Sequence, residues 1–261
     1  ARDLAVGNRD QQLAAIAALK KSGLLAIPIA RDFLESDDSL VRETAVDTIL
    51  TLGGAQTVSI VIPYLKEERD TNVIHVAMRR FRDIGGTTVR DAISGYVTLE
   101  DEDLVVAAVE SLTKICGKAS SSPFGTDGAK APATSEINAS VARLLDDPRW
   151  RVRAAALEYV ASIKDSSVGD QVILLLDDED EFVRAQAISA AVALQLTSAK
   201  DRLTKLFLSD DDMIAPATTA LTGMEIVLPP DLVAHLDTRP PDVVVGAIKA
   251  LNRDTKPFLE V

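Results

Sequence analysis

The sequence predicts an all-α fold, a right-handed α-solenoid of seven to eight helical hairpins of about 31 residues each. Three observations predict it: an apolar pattern that returns at a nearly constant step, an Asx residue before most copies, and a second apolar segment between successive copies. Apolar side chains at offsets 0, +4, +5 and +8 form one stripe of a helix, because a strand would alternate instead. We call the residue at offset 0 of each copy its anchor. The anchors are Gln11, Val41, Val73, Leu104, Val152, Val183, Met213 and Val243.

Alanine occupies offset +4 in every copy, and offset +8 is apolar throughout. A small side chain at offset +4 lets the backbone of the paired helix approach closely, so we expect this column to be buried. The alanines are Ala15, Ala45, Ala77, Ala108, Ala156, Ala187, Ala217 and Ala247.

An Asx residue lies three positions before the anchor in most copies, where it predicts the start of the second helix of each hairpin. Asx side chains accept hydrogen bonds from the free amides of the first helical turn. These residues are Asn8, Asp38, Asp70, Asp101, Asp180 and Asp210. In the fifth copy we expect Asp147 to cap the helix one residue earlier, with Pro148 at the first helical position.

Glycine follows the early copies and predicts where their second helices end, since glycine adopts the left-handed conformation most easily. The predicted stops are Gly23, Gly53-Gly54, Gly85-Gly86 and Gly117. Pro28 and Pro63 fall within the apolar segments between copies, where we expect each of them to kink a helix.

The segment Leu144–Leu157 (LLDDPRWRVRAAAL) resembles the signature of HEAT repeats, and most of all the short HEAT-like repeats of phycobilisome (bilin) lyases. The segments 37–46 and 178–188 repeat it, and the likeness covers nearly the whole chain. It implies an α-solenoid, but such repeats occur in scaffolds, lyases and hydroxylases alike. An arginine often follows the anchor in this family; here it is kept as Arg42, Arg153 and Arg184.

We expect one domain over residues 1–261 that is interrupted by an irregular loop at 118–136, where Ser, Pro, Gly, Ala and Thr dominate. The loop is either a tolerated insertion or a binding loop anchored by Phe124. Neither end of the array carries an evident polar cap, so a segment of a longer protein is as consistent with the sequence as a complete chain.

Charge and composition exclude several classes of function. The net charge is −12, from 28 basic and 40 acidic residues, which argues against nucleic acid or membrane as the ligand and mildly favours a protein partner with a basic surface. Two histidines and one cysteine leave too few ligands for a His/Cys metal site, and no phosphate-binding or nucleophile motif is present. We expect no cofactor, no catalysis and a cytoplasmic location, and no apolar stretch long enough to span a membrane.

The charged residues at and near offset +6 are the first set of candidate binding residues. Arg79, Arg80, Arg82, Glu110 and Glu158 lie on second helices, which commonly line the concave face of such arrays. Two interpretations remain open: ion pairs between adjacent repeats, or a groove for an anionic partner.

The first turn of the fifth copy supplies the second set, Trp150 and Arg153. The principal hypothesis is a non-catalytic scaffold that binds a protein through the second helices and the 118–136 loop. The alternative, suggested by the repeat subtype alone, is a bilin lyase-like subunit that holds a tetrapyrrole. Arg149, Trp150, Arg151, Arg153 and Tyr159 are the one cluster with a suitable composition.

Overall fold

The computed structural model describes residues 8–121, 132–209, 211–224, 234 and 236–254. These residues form α-helices joined by short 3-10 turns, with no strand among them, so the all-α prediction is confirmed. The chain divides into two compact units, Ala1–Ile137 and Asn138–Val261.

The first unit is a stack of helical hairpins. Within it, α3 packs against α1 and α5, and α5 packs against α7. Its helices are α1 (Arg9–Lys20), α2 (Ile27–Asp32), α3 (Ser39–Gly53), α4 (Val58–Leu65), α5 (Thr71–Ile84), α6 (Thr87–Ser94) and α7 (Glu102–Ser121).

Helix α8 (Pro132–Arg143) spans the boundary, and the second unit repeats the same arrangement. Within it α9 packs on α11, α11 on α13, and α13 on α14. Its helices are α9 (Trp150–Ser162), α10 (Gly169–Leu174), α11 (Glu181–Ala193), α12 (Lys200–Ser209), α13 (Ile214–Gly223) and α14 (Pro241–Asp254).

The alanine column is buried in seven of the eight copies, because Ala45, Ala77, Ala108, Ala156, Ala187, Ala217 and Ala247 are all inaccessible to solvent. The first copy differs: Gln11 is exposed and Ala15 is only half-buried, whereas Gln12 and Ile16 are buried. Helix α3 covers α1 on the side of Gln12 and Ile16, and no described helix covers its opposite side. Gln11, the one polar anchor, therefore lies outside the buried stripe.

The caps follow the prediction in five copies. Asn8 forms a reciprocal capping box with Gln11, and Asp38, Asp70, Asp101 and Asp180 accept first-turn amides at 2.9–3.3 Å. The prediction for the fifth copy is wrong: α9 begins at Trp150, so Pro148 precedes the helix. There Asp147 accepts from the amide and the guanidinium of Arg149 instead. Asp210 lies outside the described residues.

Glycine ends the early helices as predicted, with positive φ at Gly23, Gly54, Gly85 and Gly86. Gly117 does not, because α7 continues through it to Ser121. An interior glycine costs a helix only about 1 kcal/mol, and the long apolar stripe of α7 outweighs it. Residues 118–121 and 132–136 are thus helical and not part of a loop, while 122–131 and with them Phe124 lie outside the described residues.

The two prolines behave differently. Pro28 occupies the second position of α2, where no amide is needed, so it starts a helix and the predicted kink there is wrong. Pro63 does lie inside α4.

The segment Ser39–Leu65 has the length and hydropathy of a membrane helix, contrary to the expectation that no stretch reaches that length. It consists of two helices, however, separated by a 3-10 turn that begins at Gly54 with φ 51°. Val41, Ala45, Ile49 and Val61 on these helices are fully buried. The segment is apolar because its side chains form the core of a helical repeat.

Candidate functional site

The three arginines of α5 are exposed or half-buried, and two of them form ion pairs with neighbouring repeats. Arg80 Nε donates to Asp47 Oδ1 at 2.7 Å, and Arg82 Nη1 lies 3.9 Å from Glu110 Oε2. Arg79 is exposed and makes no ion pair with a described residue. The interpretation as inter-repeat ion pairs therefore describes Arg80, Arg82 and Glu110, and only Arg79 remains available to an anionic partner.

Asp47 connects three repeats at this surface. It accepts from Arg80 and, at 2.9 Å, from Lys20 Nζ. Burial alone would raise the pKa of Asp47, but the hydrogen bonds from Arg80 and Lys20 lower it below its usual value. The carboxylate thus stays charged at neutral pH and holds both cations in place.

A second set of contacts joins the repeats at their turns, and we call each of them a seam pair. A seam pair consists of the residue after an anchor and the residue two positions before the next cap. Arg42 donates to both carboxylate oxygens of Glu68 at 2.8 and 3.1 Å, and Arg153 donates to both of Asp178 at 2.8 Å. In the first repeat the neutral pair Gln12 and Ser36 takes the same place, at 3.1 Å.

Each arginine of a seam pair also holds its own turn together. Arg153 Nη1 donates to the carbonyls of Asp147 and Pro148 at 2.9 and 3.0 Å. Arg42 and Arg184 make the equivalent bonds to their own turns. The side chains of Arg153 and Asp178 are more than nine-tenths buried. The structure therefore places Arg153 inside the fold and not on a binding surface.

Trp150 and Phe182 form the exposed aromatic feature of the second unit. Their ring centroids lie 5.7 Å apart at 75°, an edge-to-face pair. Trp150 is 43% exposed and Phe182 51% exposed, although side chains of this size are normally buried. Each lies in the first turn of its helix, so the pair bridges two adjacent repeats at one edge of the stack.

Acidic side chains lie in the same turns as these aromatic residues. Asp146, Glu179 and Glu181 are exposed, and none of them forms an ion pair with a described residue. Arg149 is tied to Asp147 at 2.8 Å, and its hydrogen bond lowers the pKa of that carboxyl group. We call Trp150, Phe182, Asp146, Glu179 and Glu181 the aromatic edge. Chemically it offers apolar area beside exposed carboxylates.

The residues proposed for tetrapyrrole binding do not converge on one cavity. Tyr159 is fully buried and its hydroxyl donates to Asn138 Oδ1 at 2.7 Å. Arg149 and Arg153 are engaged by Asp147 and Asp178. Of this cluster, Trp150 and Arg151 alone are exposed. Glu158, the remaining candidate, lies exposed on α9.

Two other carboxylates of the turn before α11 stabilise the fold. Asp177 is paired with Arg202 and, at 2.8 Å, with Lys205, while Asp180 caps α11. Among the described residues no group of three His, Cys, Asp or Glu side chains is arranged to hold a metal ion.

A cleft of about 550 Å³ lies between α4 and α6 in the first unit. Its floor is apolar, formed by Ile62, Leu65 and Phe81, and Lys66 and Asp91 lie at its rim. Tyr96 also lines it, and burial raises the pKa of its phenol. The cleft could admit a side chain of a partner, and nothing in the sequence pattern had indicated it.

The seam pairs and the aromatic edge were both missed by sequence reasoning, yet the seam pairs have a readable signal. Arginine is matched by a carboxylate in Arg42–Glu68 and Arg153–Asp178, and glutamine by a hydroxyl in Gln12–Ser36. The two positions thus vary together along the chain. The pairing of Phe182 with Trp150 has no comparable signal, because it depends on the stagger between two helices.

Comparison with known proteins agrees with this architecture. A family model for HEAT repeats matches residues 137–222, so this part of the chain consists of HEAT repeats, as its sequence resemblance implied. No curated protein matches the chain by sequence.

Solved structures share the fold at low sequence identity. A designed armadillo repeat protein in complex with the peptide (KR)4 is 18% identical with a TM-score of 0.52, covering 76% of this chain and 99% of that one. Importin beta is 14% identical with a TM-score of 0.53, covering 94% of this chain and 39% of that one. The complex of CpcE and CpcF of phycocyanin lyase from Nostoc sp. PCC7120 is 15% identical with a TM-score of 0.51, covering 88% and 94%. These likenesses establish an α-solenoid of the HEAT and armadillo type.

Proposed function

We propose that this HEAT-repeat chain is a non-catalytic scaffold that binds a protein partner through the aromatic edge of its second unit. The observation that carries the proposal is the exposed pair of Trp150 and Phe182. Exposed aromatic side chains supply much of the energy of protein interfaces, because each buries a large area at little cost in conformational entropy.

The charges around this pair support a partner with a basic surface. Asp146, Glu179 and Glu181 are exposed beside the rings, and the whole chain carries a net charge of −12. Opposite charge on a partner would speed association and fix its orientation, while the rings would supply the affinity. The exposed Arg79 and Glu158 are further contact candidates on the second helices. A cytoplasmic location fits the single cysteine of the sequence, Cys116, which is buried.

The experiment compares quantitative affinity capture by the unaltered chain, by the double variant Trp150→Ala/Phe182→Ala, and by the control Leu174→Ala. Leu174 is 60% exposed on the neighbouring helix α10, so its removal deletes exposed apolar area outside the aromatic edge. We expect the unaltered chain and the control to capture the same partner, and the double variant to lose it. The affinity of the double variant should be lower by roughly tenfold or more if each ring contributes about 1 kcal/mol.

Two results would contradict the proposal. If all three chains captured the same proteins, the binding surface would lie outside the aromatic edge. Visible absorption acquired on incubation with a linear tetrapyrrole, and lost in Trp150→Ala, would favour chromophore handling instead.

A further inference from the structure

The second helices carry two sides that face their neighbours in the stack. Ser111, at offset +7 of α7, donates to the carbonyl of Met78, at offset +5 of α5. A Cβ added to Gly246, at offset +3 of α14, would lie 3.5 Å from that of Ala215, at offset +2 of α13. Offsets +2 and +5 therefore form a forward side that faces the following repeat, and offsets +3 and +7 form a backward side that faces the preceding one.

The forward side is covered wherever another second helix follows in the same unit. Its offset +5 residue is then at most 3% exposed, as it is for Ile16, Val46, Met78, Leu157, Ile188 and Thr218. Ile248 occupies the same offset in α14 and is 47% exposed, and Val245 at offset +2 is 48% exposed. The offset +5 position that is covered six times is thus open on α14, within the described residues, and the exposed Val245 extends the apolar area there. Offset +2 is less regular in the covered helices, where Glu43 and His75 are polar.

The complementary surface is open on α1. Ala14 and Ala18 are its offsets +3 and +7, and both are exposed. At offset +7 of later helices Thr48, Ser111, Tyr159, Ala190 and Ala220 are buried, and Arg80 is partly exposed. Within each unit, a large apolar residue at offset +5 is followed by a small one at offset +7 of the next second helix in four sets: Ile16 and Thr48, Met78 and Ser111, Leu157 and Ala190, and Ile188 and Ala220. Val46 differs, because it is followed by Arg80, which pairs with Asp47. Ile248 and Ala18 would form a fifth set of the same kind.

We propose that the molecule associates head to tail, with the forward side of α14 in one copy packing on the backward side of α1 in a second copy. This contact continues the register by which α13 packs on α14 within the chain. The two surfaces differ, so the interface is heterologous, and each copy keeps one free surface after pairing. Growth then continues beyond the dimer until the copies close into a ring or the association is limited by the net charge of −12.

The test is the mass in solution as a function of protein concentration, measured at an ionic strength of about 0.3 M to screen repulsion. We expect the weight-average mass to rise from 27.9 kDa without levelling at twice that value. Ile248→Asp, and Val245→Asp as a second variant, should hold the mass at the monomer value. Leu174→Asp adds the same charge at an exposed apolar position away from both surfaces and should associate normally.

Mixing two variants gives the sharpest result. Ile248→Asp keeps an intact α1 surface and Ala18→Asp keeps an intact α14 surface, so each should be monomeric alone. Their mixture should form a species of twice 27.9 kDa and nothing larger. Circular dichroism melting curves matching the unaltered chain would show that both variants are folded.

Three outcomes would overturn the proposal. The unaltered chain could remain monomeric at every concentration, as it would if another part of the chain covered α14. Ala18→Asp alone could dimerise, which would mean that α14 pairs with itself. Ile248→Asp and Ala18→Asp could both associate as the unaltered chain does, which would place the contact elsewhere.

Discussion

Gly85 shows how one residue ends a helix in this fold. It has φ 69° and ψ −166°, a combination that is close to glycine-only, and its amide donates to the carbonyl of Phe81 at 2.9 Å. In the second unit Lys164 and Gln195 follow their helices with φ 54°, so the left-handed turn is kept there without glycine.

Replacing Gly85 by alanine should lower the free energy of unfolding by about 1–3 kcal/mol, because the Cβ has open space but the backbone conformation is strained. Urea unfolding measures the change. Gly95→Ala is the matched control, since its Cβ also meets open space but its φ is −68°. That variant should be neutral or up to about 1 kcal/mol more stable. Equal destabilisation by both would show that strain is not the cause.

Glu68 is the residue most sensitive to acid. Burial by itself would raise its pKa, but hydrogen bonds from Arg42, Tyr64 and two backbone amides lower the pKa from 4.5 to about 2. A carboxyl group whose pKa is depressed on folding stabilises the native state above its unfolded pKa, and this stabilisation is lost as the pH falls towards the folded one.

We therefore expect the free energy of unfolding to fall by up to about 3 kcal/mol between pH 4.5 and pH 2 through Glu68. Urea unfolding at a series of pH values measures it. Glu68→Gln should flatten that part of the profile, whereas Glu67→Gln, an exposed neighbour, should leave it unchanged. A profile that Glu68→Gln does not alter would assign the acid sensitivity to other carboxylates.

At the scale of the helix and its turn, Arg153 and Asp178 form the seam pair in which both charged side chains are more than nine-tenths buried. The arginine also binds two carbonyls of its own turn. Removing one partner leaves a buried charge without compensation, which usually costs about 3–5 kcal/mol.

We expect Asp178→Ala to destabilise the protein by this amount and Arg153→Met/Asp178→Leu together to cost less, because the double change leaves no buried charge. Thermal unfolding of the single and double variants measures both. Arg79→Ala is the control, since its exposed side chain should contribute almost nothing. A double variant as unstable as Asp178→Ala would mean that the bonds to the turn carbonyls outweigh the ion pair.

The helices were more predictable than the contacts between them. Offsets +4 and +5 predicted burial correctly except at Ala15 of α1 and Ile248 of α14, because helical periodicity decides which face is apolar but not whether a neighbour covers it. The end of α7 was missed because Gly117 is tolerated inside a helix with a strong stripe, and the start of α9 because Arg149 competes for Asp147. Arg153 was chosen as a candidate binding residue, since no single repeat reveals that its guanidinium binds the carbonyls of its own turn.

At the scale of the molecule, the class of fold followed from the sequence, whereas the binding surface did not. Single copies depart from the apolar pattern at one position or another, but the pattern returns eight times, and this repetition predicts the architecture. The aromatic edge depends on how Trp150 and Phe182 are staggered across two helices, and the open surface of α14 depends on what lies beside Ile248. Neither can be deduced from the periodicity of one helix.

The seam pairs also have a mechanical consequence. Arg42 links its turn to the next repeat through a bidentate ion pair, whereas the residue at the equivalent position of α5 is the buried apolar Ile74. A pulling force applied to the first unit would therefore meet an ion pair where α3 joins the following turn and apolar packing where α5 does. The repeats would therefore separate under force in an order that depends on which residue follows each anchor.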